Sequence, residues 1–206
     1  MTGRRAKWRR PEAGIVNVAP LEPTRIIPAT EADLPAISEL AGVIWRACYP
    51  GIITFEQINY MLAWMYSPAT LRDEIHSQNI RYDCLFVAGV LAGFASCGPT
   101  DEPGVLKLHK LYLHPSRHGR GLGSLLLLHC ERGARELGAR RLILNVNKRN
   151  TKAIKAYQRN GFTVAGAVVA DIGHGFVMDD YVMAKELGGS PNHSVESPVE
   201  TDQKAG

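Results

Sequence analysis

The sequence predicts one α/β (α+β) domain: a mixed central sheet with helices on both faces. Three observations predict it. The 206 residues are 45% hydrophobic and 21% charged, which suits a globular domain with a full apolar core. Apolar residues alternate in some segments and recur at helical spacing in others, in the order strand, three helices, three strands, then helix, strand, helix, strand, strand. Strand–helix–strand units of this kind need crossover packing, which places helices on both sides of the sheet.

Residues 24–28 read as the first strand. Thr30 with Asp33 is a weak form of the capping box and opens a helix whose apolar face is Ile37, Leu40, Ala41 and Ile44. Thr54 with Gln57 is a second box, opening a helix that runs through Tyr66. Ser67-Pro68 caps a third, with proline in the first turn, where no N–H is needed. Segments 82–87 and 90–98 form a hairpin around Ala88-Gly89. A strand over 106–113 leads through a glycine turn into a helix over 121–137. A strand at 141–147, a helix at 150–160 and strands at 162–171 and 176–185 close the domain.

The domain therefore spans 24–187, without internal repeats. Residues 1–23 carry Pro11, Pro20, Pro23 and five basic residues between Arg4 and Arg10; they read as a flexible basic arm. Residues 188–206, opening Gly-Gly-Ser-Pro-Asn-His-Ser, read as a disordered tail. Between arm and tail the body keeps only a mild basic excess, 18 basic against 15 acidic residues, and the basic arm reads as a solvated one, so no nucleic-acid or membrane partner is expected. No apolar run approaches a membrane span, and the basic start lacks the apolar stretch of a secretory signal. Cys48, Cys84, Cys97 and Cys130 show no paired or metal-ligand spacing; they read as reduced thiols of a cytoplasmic protein, with no metal.

The segment His118-Gly119-Arg120-Gly121-Leu122-Gly123-Ser124 carries the chemistry. First-turn amides have no intrahelical partners, the helix dipole adds positive charge there, and glycine lets a ligand approach the backbone. Arg117 and Arg120 flank the turn and can reach phosphate. On these residues alone, a pyrophosphate cradle and an ordinary strand-to-helix turn are equally good readings. Two cheaper phosphate motifs are excluded. The glycines miss the G-x-G-x-x-G register, and Arg140-Arg141-Leu142-Ile143 stands where a ribose-binding carboxylate belongs. No Gly-Lys-Ser/Thr of a P-loop is present.

Leu111-Tyr112-Leu113-His114-Pro115 followed by His118-Gly119-Arg120-Gly121-Leu122-Gly123 resembles motif A of the GNAT acetyltransferase superfamily. Asn145-Val146-Asn147 and the pattern Asn150-x-x-Ala153-x-x-x-Tyr157-x-x-x-Gly161-Phe162 resemble its motif B, at the right distance. The resemblance covers essentially 24–187 and implies the GNAT fold and acetyl-CoA as cosubstrate. It implies that pyrophosphate rests on Gly119 to Ser124, and that pantetheine adds along Leu111, Tyr112 and Leu113. Asn150 then contacts the cofactor arm and Tyr157 lies near the thioester sulfur. One departure is His118, where the family's Q/R-x-x-G-x-G/A begins with Gln or Arg.

Acetyl transfer to an amine needs a neutral amine, a stabilised oxyanion and a protonated leaving thiolate. Tyr157 lies seven residues after Asn150, on one helix face with it, and its phenol is a suitable acid for the thiolate. His109 is the best side-chain candidate for the base, since it titrates near neutrality and sits two residues before Leu111. Asn145 stands where the resembling ribosomal-protein acetyltransferases place a Glu base, and an amide cannot accept that proton. Lys148, Arg149, Lys152 and Lys155 are a solvated face or a hold for the phosphorylated end of CoA.

The ending Asp171-Ile172-Gly173-His174-Gly175 with Met178-Asp179-Asp180-Tyr181-Val182-Met183 resembles bacterial diamine and polyamine acetyltransferases. Carboxylates at the acceptor mouth would attract a cationic amine. The aromatics of Trp45-Arg46-Ala47-Cys48-Tyr49-Pro50 wall that pocket or merely pack. The expected function is N-acetyl transfer from acetyl-CoA to a small primary amine such as a polyamine, by direct attack in a ternary complex. The alternatives are a protein or peptide acetyltransferase and a non-catalytic acyl-CoA-binding regulator. A homodimer is an expectation of the resemblance alone.

Overall fold

The computed structural model describes residues 22–188. β1 (Thr24–Pro28) leads through a single 3₁₀ turn (Glu31–Asp33) into α1 (Leu34–Cys48), α2 (Phe55–Met65) and α3 (Pro68–His76). The antiparallel run β2 (Arg81–Val87), β3 (Val90–Pro99) and β4 (Val105–Leu113) follows. Then come a 3₁₀ turn (Pro115–Arg117), α4 (Leu122–Glu136), β5 (Arg141–Asn147), α5 (Thr151–Arg159), β6 (Thr163–Gly173) and β7 (Phe176–Glu186). The seven strands form one sheet in the order β1-β2-β3-β4-β5-β7-β6, antiparallel throughout except for the β4–β5 pair.

Local chemistry explains where elements begin. Asp33 Oδ2 accepts both the Thr30 N–H (2.7 Å) and the Thr30 hydroxyl (2.8 Å), so the first capping box forms. The α-helix starts later than Thr30 predicts, because Pro35 lacks the N–H that would bond back to residue 31. The second box forms by half: Thr54 Oγ1 accepts the Gln57 N–H, while Gln57 Nε2 donates across to the Val177 carbonyl at 2.9 Å. Ser67 Oγ caps α3 by accepting the Thr70 N–H at 3.1 Å. Ala88 (φ 51°) and Gly89 (φ 80°) turn the β2–β3 hairpin in the left-handed conformation that suits strand twist.

Helices do cover both faces, each over its own core. Leu126, Leu127, Cys130 and Ala134 of α4 pack with Leu108, Leu142, Leu144 and Met183. On the opposite face Ile37, Ile44, Ile58 and Leu71 of α1 to α3 pack with Tyr82, Cys84 and Phe94. Glu22 and Pro23, at the end of the expected arm, are held to the body: the Pro23 carbonyl accepts the Ala88 N–H at 2.8 Å, and Glu22 meets two arginines described below. The rest of that arm, and all of the expected tail except Gly188, lies outside the described residues. Among the described residues no helix is long and apolar enough to cross a membrane, and no cluster of three metal-ligating side chains occurs.

Two irregularities position the site. β4 and β5 pair only from Val105 opposite Arg141 to Leu108 opposite Leu144, although both strands continue. Beyond that point they part, and the β5-facing edge of His109 to Leu113 lines an open gap. In addition, the β3–β4 register slips: Ser96 faces Lys110 but Cys97 faces Leu108. His109 is the extra residue of a bulge.

Candidate active site

At one end of the gap the chain leaves β4 and turns into α4. Gly119 and Gly121 both have φ 76°, and Gly121 is the N-cap residue. The first intrahelical bond is Leu125 N–H to Gly121 O (3.0 Å), so the amides of Leu122, Gly123 and Ser124 precede it. A Cβ placed on Gly119 or Gly121 meets nothing within 4 Å, so the space before these donors is open. Bared amides, a helix dipole and open space fit a pyrophosphate. Gly121→Ala forces an L-residue into the left-handed region at about 1–2 kcal/mol. Its expected results are a lower urea midpoint and weaker acetyl-CoA binding by calorimetry.

The basic side chains at the turn are arranged differently from the sequence expectation. Arg117 Nη1 (2.9 Å) and Arg120 Nη2 (2.5 Å) both donate to Glu22 Oε2, and these arginines, Arg120 foremost, hold that carboxyl below its usual range. His118 accepts a hydrogen bond from Lys152 Nζ at Nδ1 (3.2 Å), which leaves Nε2 to donate to the Leu113 carbonyl (3.1 Å). His118 thus links Lys152 to the end of β4. Lys152, in the first turn of α5, thereby brings a positive charge beside the glycine turn.

Side chains along β4 alternate about the gap. Leu111 and Leu113 pack in the α4 core, and Tyr112 points into the opposite core. Asn150 caps α5, its Oδ1 accepting the Ala153 N–H at 3.1 Å, which leaves its amide nitrogen free to donate to a ligand. Tyr157 projects from the same helix face and rests on Phe162, ring centroids 5.8 Å apart. Burial raises its phenol above the usual tyrosine range, so it stays protonated at working pH.

Two further tyrosines gather there. Tyr49 Oη lies 3.4 Å from Tyr112 Oη, and burial drives both phenols well above their usual range. The Tyr157 phenol contributes to both shifts, and the Asp180 carboxylate contributes to that of Tyr49. Tyr49 is held in place by stacking on Trp45, centroids 4.2 Å apart and planes 8° from parallel. The early aromatic segment packs in the α1–α3 core: Trp45 is buried, and half-buried Tyr49 sets its hydroxyl beside that of Tyr112.

Beyond Tyr49 a cavity of about 440 Å³ opens, lined by Gly51, Ile53, Gln57, Asn147, Arg149 and Asp179 among others. Arg149 Nη2 donates to the Gly51 carbonyl (2.8 Å) across its rim. Of the two adjacent carboxylates, Asp179 is paired with Lys148. Asp180 is 2% exposed, and its Oδ1 has no hydrogen-bond partner. Burial, with Asp179 beside it, pushes its carboxyl up to about 6.

His109 is placed less favourably than its sequence position suggests. Its ring lies against Gly98 of β3, with Nε2 buried and unpartnered. Burial, then Lys107 and Lys110, pull its pKa down to about 4. The bulge turns it from the gap toward β3, so it is a weak proton acceptor. Asn145 lies exposed on β5.

Residues 44–162, more than half of the chain, match the acetyltransferase (GNAT) family. The chain belongs to the GNAT family. It is an acetyltransferase that uses acetyl-CoA. Among its relatives is a spermidine N(1)-acetyltransferase of Thermoplasma acidophilum, 29% identical over 64% of this chain and 83% of that protein. A streptothricin acetyltransferase of Streptomyces lavendulae is 38% identical over 38% of this chain and 41% of that protein. Among solved structures, the PaiA N-acetyltransferase of Thermoplasma acidophilum, in complex with coenzyme A, superposes with a TM-score of 0.68. It is 27% identical, over 80% of this chain and 99% of that one. The GNAT fold and the cosubstrate expected from motifs A and B are therefore borne out.

Proposed function

We propose that this GNAT enzyme acetylates the primary amine of a small cationic acceptor, such as a polyamine, by direct attack in a ternary complex. The observation that carries this reading is the parting of β4 and β5. β4 and β5 are parallel, so the glycine turn after β4 and the 440 Å³ cavity at the end of β5 both adjoin the open, C-terminal end of the gap, where two substrates can meet. Acetyl-CoA, when bound, supplies the acetyl group as an activated thioester. Gly119 to Ser124 offer their amides to its pyrophosphate, with Lys152 behind them. Backbone groups of Leu111 to Leu113 extend along the gap, and an amide among them is the donor for the oxyanion, worth about 3 kcal/mol. Tyr157, protonated and half-buried, gives its proton to the departing sulfur.

The acceptor assignment draws on the spermidine acetyltransferase relative and on the cavity, which is small and crossed by Arg149. A peptide acceptor would need a longer open channel. Four free cysteines support a reducing, cytoplasmic setting. The test is thiol release from acetyl-CoA across diamines, polyamines, aminoglycosides, amino acids and peptides. Turnover strongest with diamines or polyamines is expected. Release with peptides alone would overturn the acceptor class. No release with any amine, while CoA still raises the melting temperature, would make the chain a binding module.

A further inference from the structure

We infer that Asp180 is the group that takes the proton from the acceptor's ammonium, a catalytic role that presupposes the amine transfer proposed above. An alkylammonium is almost fully protonated at neutral pH and cannot attack a thioester until it loses a proton. Some group beside the acceptor must receive it. The site needs an acceptor that is ionised at neutral pH, is not already satisfied by hydrogen bonds, and faces the cavity side of the sheet.

Asp180 meets each requirement by its place in β7. Tyr181 and Met183 pack in the α4 core, so by strand alternation Asp180 and Met178 face the other side, where Met178 packs beneath α1 and α2. In the register of β5 and β7, Asp180 lies opposite Asn147, which lines the cavity, so the two side chains share a face of the sheet. Asp180 thus sits beside Asn147, buried beneath the cavity lining and one strand away from the gap. Its Oδ1 is buried without a partner, a costly condition that a bound ammonium would relieve. Asp179 cannot share the task equally, because Lys148 holds it.

The charged and titratable groups around Asp180 come from four elements. Tyr49 faces it from the end of α1, Lys107 from β4, Lys148 from the loop after β5, and Asp179 from β7 itself. Burial and Asp179 raise its pKa to about 6, with the two lysines opposing. It is therefore ionised at pH 7 and still basic enough to accept a proton. His109, the other candidate, has its pKa pulled down to about 4 and its ring turned to Gly98.

The proton count closes with two side chains. The ammonium loses one proton to Asp180, and the freed nitrogen lone pair forms the C–N bond to the acetyl carbon. The C–S bond breaks, and the sulfur, keeping its electron pair, takes the Tyr157 proton. The second proton of the amine nitrogen restores Tyr157, and Asp180 returns its proton to solvent. One proton is released per acetyl transferred.

The sign of the pH dependence follows. Activity requires the carboxylate, so kcat/KM for the amine falls as pH drops through about 6. The experiment is the pH–rate profile of the parent, Asp180→Asn, Asp180→Glu and His109→Gln, with acetyl-CoA affinity measured calorimetrically in each. Asp180→Asn is expected to lose at least about 100-fold in kcat/KM and to lack the acid limb, with acetyl-CoA affinity retained. Asp180→Glu is expected to keep a limb at a displaced midpoint. An acid limb that persists in Asp180→Asn, or that vanishes in His109→Gln instead, would overturn the role. Should Asp180→Asn fail to fold, an unmoved midpoint in Asp180→Glu would overturn it as well. A parent enzyme that releases no thiol with any amine sinks the amine-transfer proposal itself, and is told apart by its lack of any profile.

Discussion

Tyr157→Phe is expected to lower kcat by about 10²–10⁴-fold, the usual worth of a positioned general acid, with acetyl-CoA affinity little changed. The substitution removes one oxygen and keeps the ring that packs on Phe162, so the fold and the end of α5 should survive it. Alkyl thiolates are poor leaving groups in an apolar site, because nothing there solvates the new charge. A phenol whose proton is held tightly by burial stays a donor across the working pH range. That raised pKa also means Tyr157 adds no alkaline limb below pH 10, so any such limb belongs to another group. The decisive measurement is the single-turnover rate of acetyl transfer at saturating amine, with affinity measured apart from it. A chemical step as fast as the parent's would remove the acid role and leave Tyr157 as a packing residue.

What the sequence made legible follows from how local each signal is. The glycine turn could be read because positive φ and bared amides are properties of a few consecutive residues. Asn150 and Tyr157 could be placed on one face because helical period fixes it. β1 and β5 were located to the residue, since alternation and turn residues bound them closely. The α-helix begins at Leu34 rather than just after Thr30 because of Pro35, itself a local signal. His109 is a different matter. A bulge depends on the register of β3 against β4, and nothing in residues 105–113 alone announces it. Asp179-Asp180 was visible as a pair of carboxylates, and a period of two puts them on opposite faces. Which of them meets Lys148 and which is buried behind the cavity depends on β5 and α1, far away in sequence. Likewise Arg117 and Arg120 could be placed at the turn, but their partner Glu22 lies 95 and 98 residues away.

The same bulge creates a large expected stability effect. Having passed His109, β4 turns Lys110 into the α1–α3 core, where it is 3% exposed. Its ammonium lies 2.7 and 2.6 Å from the two Glu74 carboxylate oxygens, and 5.4 and 5.3 Å from the ring centres of Tyr66 and Tyr82. Tyr82 Oη also donates to Glu74, so one carboxylate satisfies both a cation and a phenol. Glu74→Ala leaves them unpaired in an apolar setting and is expected to cost about 3–5 kcal/mol, a large share of a domain's whole stability. By contrast, Arg72→Ala breaks an exposed pair with Glu31 and should cost under about 1 kcal/mol. The pH dependence separates charge burial from lost packing. Burial already lowers the Lys110 pKa, and removing Glu74 lowers it further. The native variant then binds fewer protons than its unfolded chain below the ordinary lysine pKa. Its stability should therefore rise with pH more steeply than the parent's in the alkaline range. Urea unfolding at two pH values reads both quantities. A Glu74→Ala loss below about 1 kcal/mol, or one that is flat with pH, would mean that Lys110 escapes to solvent rather than staying buried beside the two tyrosines.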